Sequence, residues 1–294
     1  MNQLKTVLLL GLLSGAFIAA GSLLGPGYAA VAAVLAVALN VGAYFFSDKL
    51  VLRMHGAQEL PPGEAPALRH MVQELSARAG LPMPRLFLMH DPQPNAFATG
   101  RDPAHGVVAV TTGLLQLLDE RELRGVIAHE LAHIKNRDIL LSTLAATVAA
   151  AVTWLAHAAG FAGSLFMGRG DGEGEDQGPS PAQLLLLALV APLAATLIQL
   201  GISRAREYHA DRTGAQIAED PEGLARALLK LQRGAQLLPH ADASPATASL
   251  FIVNPLAGVE GVMALFSTHP RIEERVRRLR ALEGAGSNTL GFAG

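Results

Sequence analysis

Apolar residues gather in four long runs along this chain, with polar and amphipathic stretches between and after them. The runs cover about residues 7–24, 28–46, 139–166 and 184–202, and each reaches or approaches the roughly 20 residues that a helix needs to cross a bilayer. They fall into two pairs. Only "GPG" parts the first two, so the pattern predicts a tight transmembrane hairpin. The second two are parted by "MGRGDGEGEDQGPSP", an acidic stretch rich in Gly that reads as a short exposed loop. Pro192 is expected to kink the fourth run. Lys5, the first apolar run and the small residues Ala19 to Gly21 also fit a signal peptide. That run is long for one, however, and a second follows almost at once, which suits a retained hairpin better.

Cationic residues flank the runs mainly on one side. Lys49 and Arg53 follow the second run, Lys135 and Arg137 precede the third, and Arg204, Arg206 and Arg212 follow the fourth. "GPG" is uncharged and the loop at 167–183 has only Arg169 as a cation. By the positive-inside rule both termini and the blocks 47–138 and 203–294 are expected on the cytoplasmic side. The chain thus divides into an N-terminal hairpin (1–46), a hydrophilic block (47–138), a second transmembrane pair (139–202) and a second hydrophilic block (203–294).

Within the first block "EAPALRHMVQELSARAG" has helical spacing and ends at Gly80, a C-cap residue. "PRLFLMH", "NAFATG" and "GVVAVTTG" are short, β-prone and bounded by Gly or Pro, which predicts a small sheet of about three strands. In "DERELRGVIAHELAHIKNRD" the residues Asp119 and Glu122 have the spacing of a capping box that starts a helix. The second block reads as helical through "RAREYHADRTGAQIA", "PEGLARALLKLQRGA" and "HPRIEERVRRLRALEG".

Composition narrows the chemistry. Half of the 294 residues are hydrophobic and 16% are charged, which points toward a lipid bilayer as a partner, and a formal charge of -2 gives no reason to expect nucleic acid. With no cysteine there is no disulfide, thiolate metal site or thiol nucleophile, so any metal must rest on His and carboxylate. His129, Glu130 and His133 answer to that requirement. Residues four apart share a helix face, so the two imidazoles can meet one zinc ion, while Glu130, turned by about 100°, can serve as a base toward water at the open position. A catalytic zinc needs a third protein ligand. "SRAREYHAD" is the best source, with Glu207 as the ligand and Asp211, one turn on, able to accept a hydrogen bond from a ligand imidazole. His209 is the competing ligand, on another side of the same helix. His157 lies inside the third run, facing the bundle or its polar end, with Gln199 as a partner.

"HELAHIKNRD", "SRAREYHAD", "NAFATG" and "THPRIEERVRRL", with two hydrophobic pairs in these places, resemble the HtpX-type membrane metalloproteases, relatives of the CAAX prenyl endoproteases. The likeness runs from about Ser47 to Leu279. It implies a mainly α membrane protein, with four transmembrane helices and a cytoplasmic zincin-like α+β catalytic domain that contains a small β-sheet. It further implies a zinc endopeptidase of the bacterial inner membrane with one zinc per chain. Ligands would be His129, His133 and Glu207, with Glu130 as base and Asp211 supporting a ligand. The substrates implied are peptides or damaged and misfolded membrane proteins, a role in stress response and quality control.

"NAFATG" resembles the family's edge strand, with Asn95, Ala96 and Phe97 as candidate substrate-binding residues; the alternative is an ordinary hairpin. "THPR" raises His269 as an oxyanion stabiliser, against the alternative that "THP" merely starts a helix with Pro270 in its first turn. Arg204 is a second oxyanion candidate. Two rival functions stand beside the endopeptidase: a zinc protease cutting within the bilayer, and a non-catalytic scaffold holding structural zinc. The first would have to bury Arg121, Glu122, Arg124, Lys135, Arg137 and Asp138 in lipid at several kcal/mol. The second needs a fourth ligand and leaves Glu130 without a role.

Overall fold

The computed structural model describes residues 26–144, 204–237, 252 and 270–287, with scattered positions between residues 11 and 22. Most of the first apolar run, nearly all of the third, the fourth run, the acidic loop, His157, Gln199 and His269 lie outside the described residues.

Helix α1 (Pro26–Met54) carries the second apolar run. It outlasts that run by two turns, because Val51 and Leu52 find buried seats beyond the polar Ser47, Asp48 and Lys49. Among the described residues no single helix is long and apolar enough to cross a membrane; Ala29–Gly42 and Tyr44–Met54, bent by 62°, reach that length and hydropathy only together. Val31, Val34, Leu35, Val37, Val41, Phe45, Phe46 and Leu50 are exposed along it, and a contiguous apolar surface of this kind marks a contact with lipid or protein.

After α1 come β1 (Gln58–Glu59), α2 (Pro66–Ala79), β2 (Arg85–Met89), β3 (Ala96–Thr99), a single 3-10 turn, β4 (Val107–Thr111), α3 (Thr112–Leu117) and α4 (Glu120–Lys135). The three strands read from the sequence are β2, β3 and β4; β1 is a two-residue addition. The sheet order is β1-β2-β4-β3, with β2 and β4 parallel and the outer pairs antiparallel. Side-chain alternation gives the sheet two occupied faces. Leu86, Ala96, Ala98, Val108 and Val110 join the helical core, whereas Phe87, Met89, Phe97, Val107 and Ala109 pack on Val51 and Leu52 of α1. The last turns of α1 therefore clamp the sheet from behind.

Helix α4 starts as its sequence predicts: Asp119 Oδ1 accepts from the Glu122 N–H at 2.9 Å, and Glu122 Oε2 accepts from the Asp119 N–H at 3.0 Å. It lies at the centre of the domain, against α2, β3, α5 (Arg204–Ala218) and α6 (Pro221–Leu237). A Cβ on Gly214 would come within 2.9 Å of the His129 N and Cα, so the closeness of α5 to α4 depends on that glycine. The last helix, α7 (Ile272–Ser287), packs on α5 and α6. It begins after Pro270 rather than around it. The Arg271 carbonyl accepts from the N–H groups of Glu274 and Arg275, and the buried Pro270 is outside the helix.

Candidate metal centre

His129 and His133 lie one turn apart on α4, and Glu207, in the first described turn of α5, faces both. One ligand atom from each falls within 4.8 Å of the others. The two Nε2 atoms are 3.2 Å apart, and the Glu207 carboxylate oxygens stand 3.7 Å from His129 Nε2 and 3.6 Å from His133 Nε2. Two imidazole nitrogens sharing a tetrahedral zinc at about 2.05 Å would be about 3.3 Å apart. His209 is exposed and outside this group.

The remaining ring nitrogens decide the tautomers. His129 Nδ1 is 3.1 Å from Asp211 Oδ1, and His133 Nδ1 is 3.3 Å from Asp138 Oδ2. A proton on each Nδ1 serves these carboxylates and turns both Nε2 lone pairs inward. Asp138 reaches His133 through the way α4 ends. The Asp138 N–H bonds the His133 carbonyl at 2.9 Å and the Arg137 N–H bonds the Ile134 carbonyl at 3.1 Å, a Schellman arrangement with Arg137 at φ 58°. A side chain in that left-handed region costs about 1–2 kcal/mol.

Charge provides a second test of fit. Glu130, Asp138, Glu207 and Asp211 are buried here, and the buried cations are Arg206 and Arg275. Four carboxylates gathered against two guanidiniums favour a further cation among them, and a divalent metal would supply it where unpaired buried charge is otherwise costly. A set of two imidazoles and a carboxylate suits zinc and leaves a position for water.

The surroundings move several proton affinities. Burial pushes the Glu130 carboxyl above the usual carboxylate range; His129 and His133 pull it down and Glu207 adds to the rise. At His133 burial opposes the charged ring, but Asp138, Glu207 and Glu130 outweigh it and hold the group up at about 9. For Asp211 burial is outweighed by Arg275 and His129, which bring it down to about 2.

The Ala98 main-chain N–H lies beside the Glu130 carboxyl and favours its charged form. The strand register explains why that N–H is available. The Asn95 carbonyl bonds the Thr111 N–H at 2.9 Å, so alternate residues of β3 direct their main chain toward β4, and Ala96 and Ala98 direct theirs away from it. β3 is the edge of the sheet, and Glu130 lies along that edge. Of the three candidate strand residues, Ala96 has its main chain on the edge side. Asn95 is buried, its Oδ1 accepting from the Ile252 N–H at 3.2 Å. Phe97 pairs within the ladder and sends its ring to the α1 side of the sheet, so it does not face the centre. Arg204 is exposed at the start of described α5; among the described residues the buried arginines are Arg206 and Arg275. Sequence reasoning missed Asp138, Arg206 and Arg275. Of these only Asp138 had a local signal, in the "NRD" that ends the helix.

This constellation defines a metallopeptidase of the H-E-x-x-H kind. The model of Peptidase family M48 matches residues 62–283, a span that takes in the sheet, α4 and Glu207, and the chain belongs to that family. Its substrates are accordingly peptides or proteins. Among curated relatives the chain is similar to Protease HtpX homologs. It is 54% identical to that of Thermodesulfovibrio yellowstonii over 283 residues, covering 96% of this chain and 99% of the relative. It is 51% identical to that of Methylibium petroleiphilum over 284 residues, covering 96% and 98%. A solved structure, the crystal structure of S. mikatae Ste24p, aligns at 19% identity and a TM-score of 0.47, over 84% of this chain and 57% of that one.

Proposed function

We propose that this protein is a membrane-anchored zinc endopeptidase, with His129, His133 and Glu207 as the ligands and Glu130 as the general base. The observation that carries the reading is the convergence of those three ligand atoms with Glu130 beside them at a sheet edge. Zinc bound there would polarise the scissile carbonyl and make water acidic enough to lose a proton near neutral pH. Glu130 takes that proton and returns it to the departing amine, a role that suits a carboxyl whose affinity for protons is raised by burial. Asp211 and Asp138 hold the ligand rings in the tautomer that points Nε2 inward. Ala96 and Ala98 offer main-chain groups to which an extended substrate adds as a further strand, with Asn95 anchoring the strand behind them. His269 remains the candidate for stabilising the oxyanion.

Four spans, at 7–24, 28–46, 139–166 and 184–202, tether the two catalytic segments to the cytoplasmic face of the inner membrane in this reading. The exposed apolar face of α1 and its grip on the sheet support it. The substrates would be misfolded or damaged membrane proteins. A structural role for the metal is disfavoured, because it leaves a buried base without purpose.

Two outcomes are expected. Chelator treatment of the detergent-solubilised protein abolishes cleavage of an unfolded protein substrate, and stoichiometric zinc restores it; cleavage that survives full metal removal refutes the metal mechanism. A reporter fused after Gly294 is active only in its cytoplasmic form, and a periplasmic signal would reverse the topology.

A further inference from the structure

We propose that Arg275 is a positioning residue that locks the metal centre and the sheet edge into one register. The inference rests on the metal-centre reading above. Arg275 comes from α7, the last described helix, yet its side chain is fully buried between α5 and α4. Its Nε and Nη2 donate to Asp211 Oδ2 and Oδ1 at 2.9 and 2.7 Å, a two-pronged pair that fixes the carboxylate plane. Asp211 Oδ1 in turn stands 3.1 Å from His129 Nδ1. The third nitrogen has a different partner. Nη1 donates to the Ile252 carbonyl at 3.3 Å, and the Ile252 N–H donates to Asn95 Oδ1 at 3.2 Å. Asn95 heads the edge strand and is bound to Thr111 through both its N–H and its carbonyl.

One guanidinium thus joins two paths: through Asp211 to a ligand imidazole, and through Ile252 to the first residue before β3. Only a planar fork with donors on separate sides can serve both at once. A lysine in its place supplies the charge from a single point and must give up one arm. Nη2 is also 3.4 Å from His129 Nε2 and Nη1 is 3.8 Å from Glu207 Oε2, so the same group borders two of the proposed ligands. A buried cation of this kind is poor value for stability alone, since apolar replacements of buried ion pairs are often neutral or better. What it supplies is relative position. Asp211 and Asn95 belong to different layers, and Arg275 is hydrogen-bonded toward both.

The test uses the full chain in detergent, with zinc affinity measured against a competing chelator and backbone hydrogen exchange followed over residues 95–99. Arg275→Lys is expected to weaken zinc binding by about 10–100-fold and to speed exchange in that strand. Asp211→Asn should weaken zinc comparably and leave strand exchange unchanged, whereas Asn95→Ala should speed exchange and leave zinc affinity within about twofold. An Arg275→Lys protein with native values for both readouts overturns the proposal, as does one in which only zinc affinity changes. Should that variant not fold, the other two decide: the proposal stands if each moves its own readout alone, and fails otherwise. Glu207→Gln serves as reference. If it too keeps zinc, the metal-centre reading has failed, not the role of Arg275.

Discussion

Glu130→Gln is expected to keep its zinc and to lose turnover by about 10²–10⁴-fold, the contribution of a positioned general base. Glutamine has nearly the shape of glutamate and can still place its amide oxygen beside the Ala98 N–H, so the packing between α4 and β3 has no reason to change. The three ligand side chains are untouched, and so are Asp211 and Asp138 behind the rings. What disappears is the group at the edge that takes a proton and passes it on in this reading. Metal analysis and single-turnover cleavage on the same preparation separate the two effects. Turnover within tenfold of the native protein, at full zinc content, would remove Glu130 from the mechanism.

The second large effect concerns the carboxylate from α5. Glu207→Gln should weaken zinc binding by more than the roughly 10–100-fold that loss of a ligand's supporting partner causes, because it deletes a ligand and a charge together. It also leaves the two buried arginines facing one carboxylate fewer. His209→Ala, two residues away on another side of the helix, should leave zinc affinity unchanged. The pair of variants shares a helix and differs in face, so a general weakening of α5 would show in both. Equal losses in the two would mean that the site answers to the stability of the helix and not to a specific ligand.

The parts of this site legible in the sequence are those written at short range. His129, Glu130 and His133 sit within five consecutive positions of a helix whose capping box was readable at Asp119 and Glu122. Glu207 and Asp211 share one face by a spacing of four, and Asp211 lies beside the His129 ring. The strands were recognisable as short β-prone runs between Gly and Pro, though not the two-residue β1. Phe97 has its ring on the α1 side of the sheet, a face that strand alternation assigns only once the register with β4 is known. Arg204 and Arg206 look alike in "SRARE", and only the packing of α5 exposes the first and buries the second.

By itself, then, the sequence determined the helix that carries the histidines, its starting cap, the chemistry those residues can perform, and the apolar runs from which a bilayer contact is proposed. The tertiary structure decided which distant groups complete the centre. Arg275 meets Asp211 across 64 positions and His129 across 146, and nothing local to "EERVRRL" distinguishes it from its neighbouring arginines. Asp138 turns back to His133 because Arg137 takes a left-handed conformation. α5 approaches closely enough to offer Glu207 because Gly214 has no Cβ to strike the His129 backbone. Spacing along a helix fixes angles among near neighbours, whereas meetings between elements depend on how closely and in what register they pack.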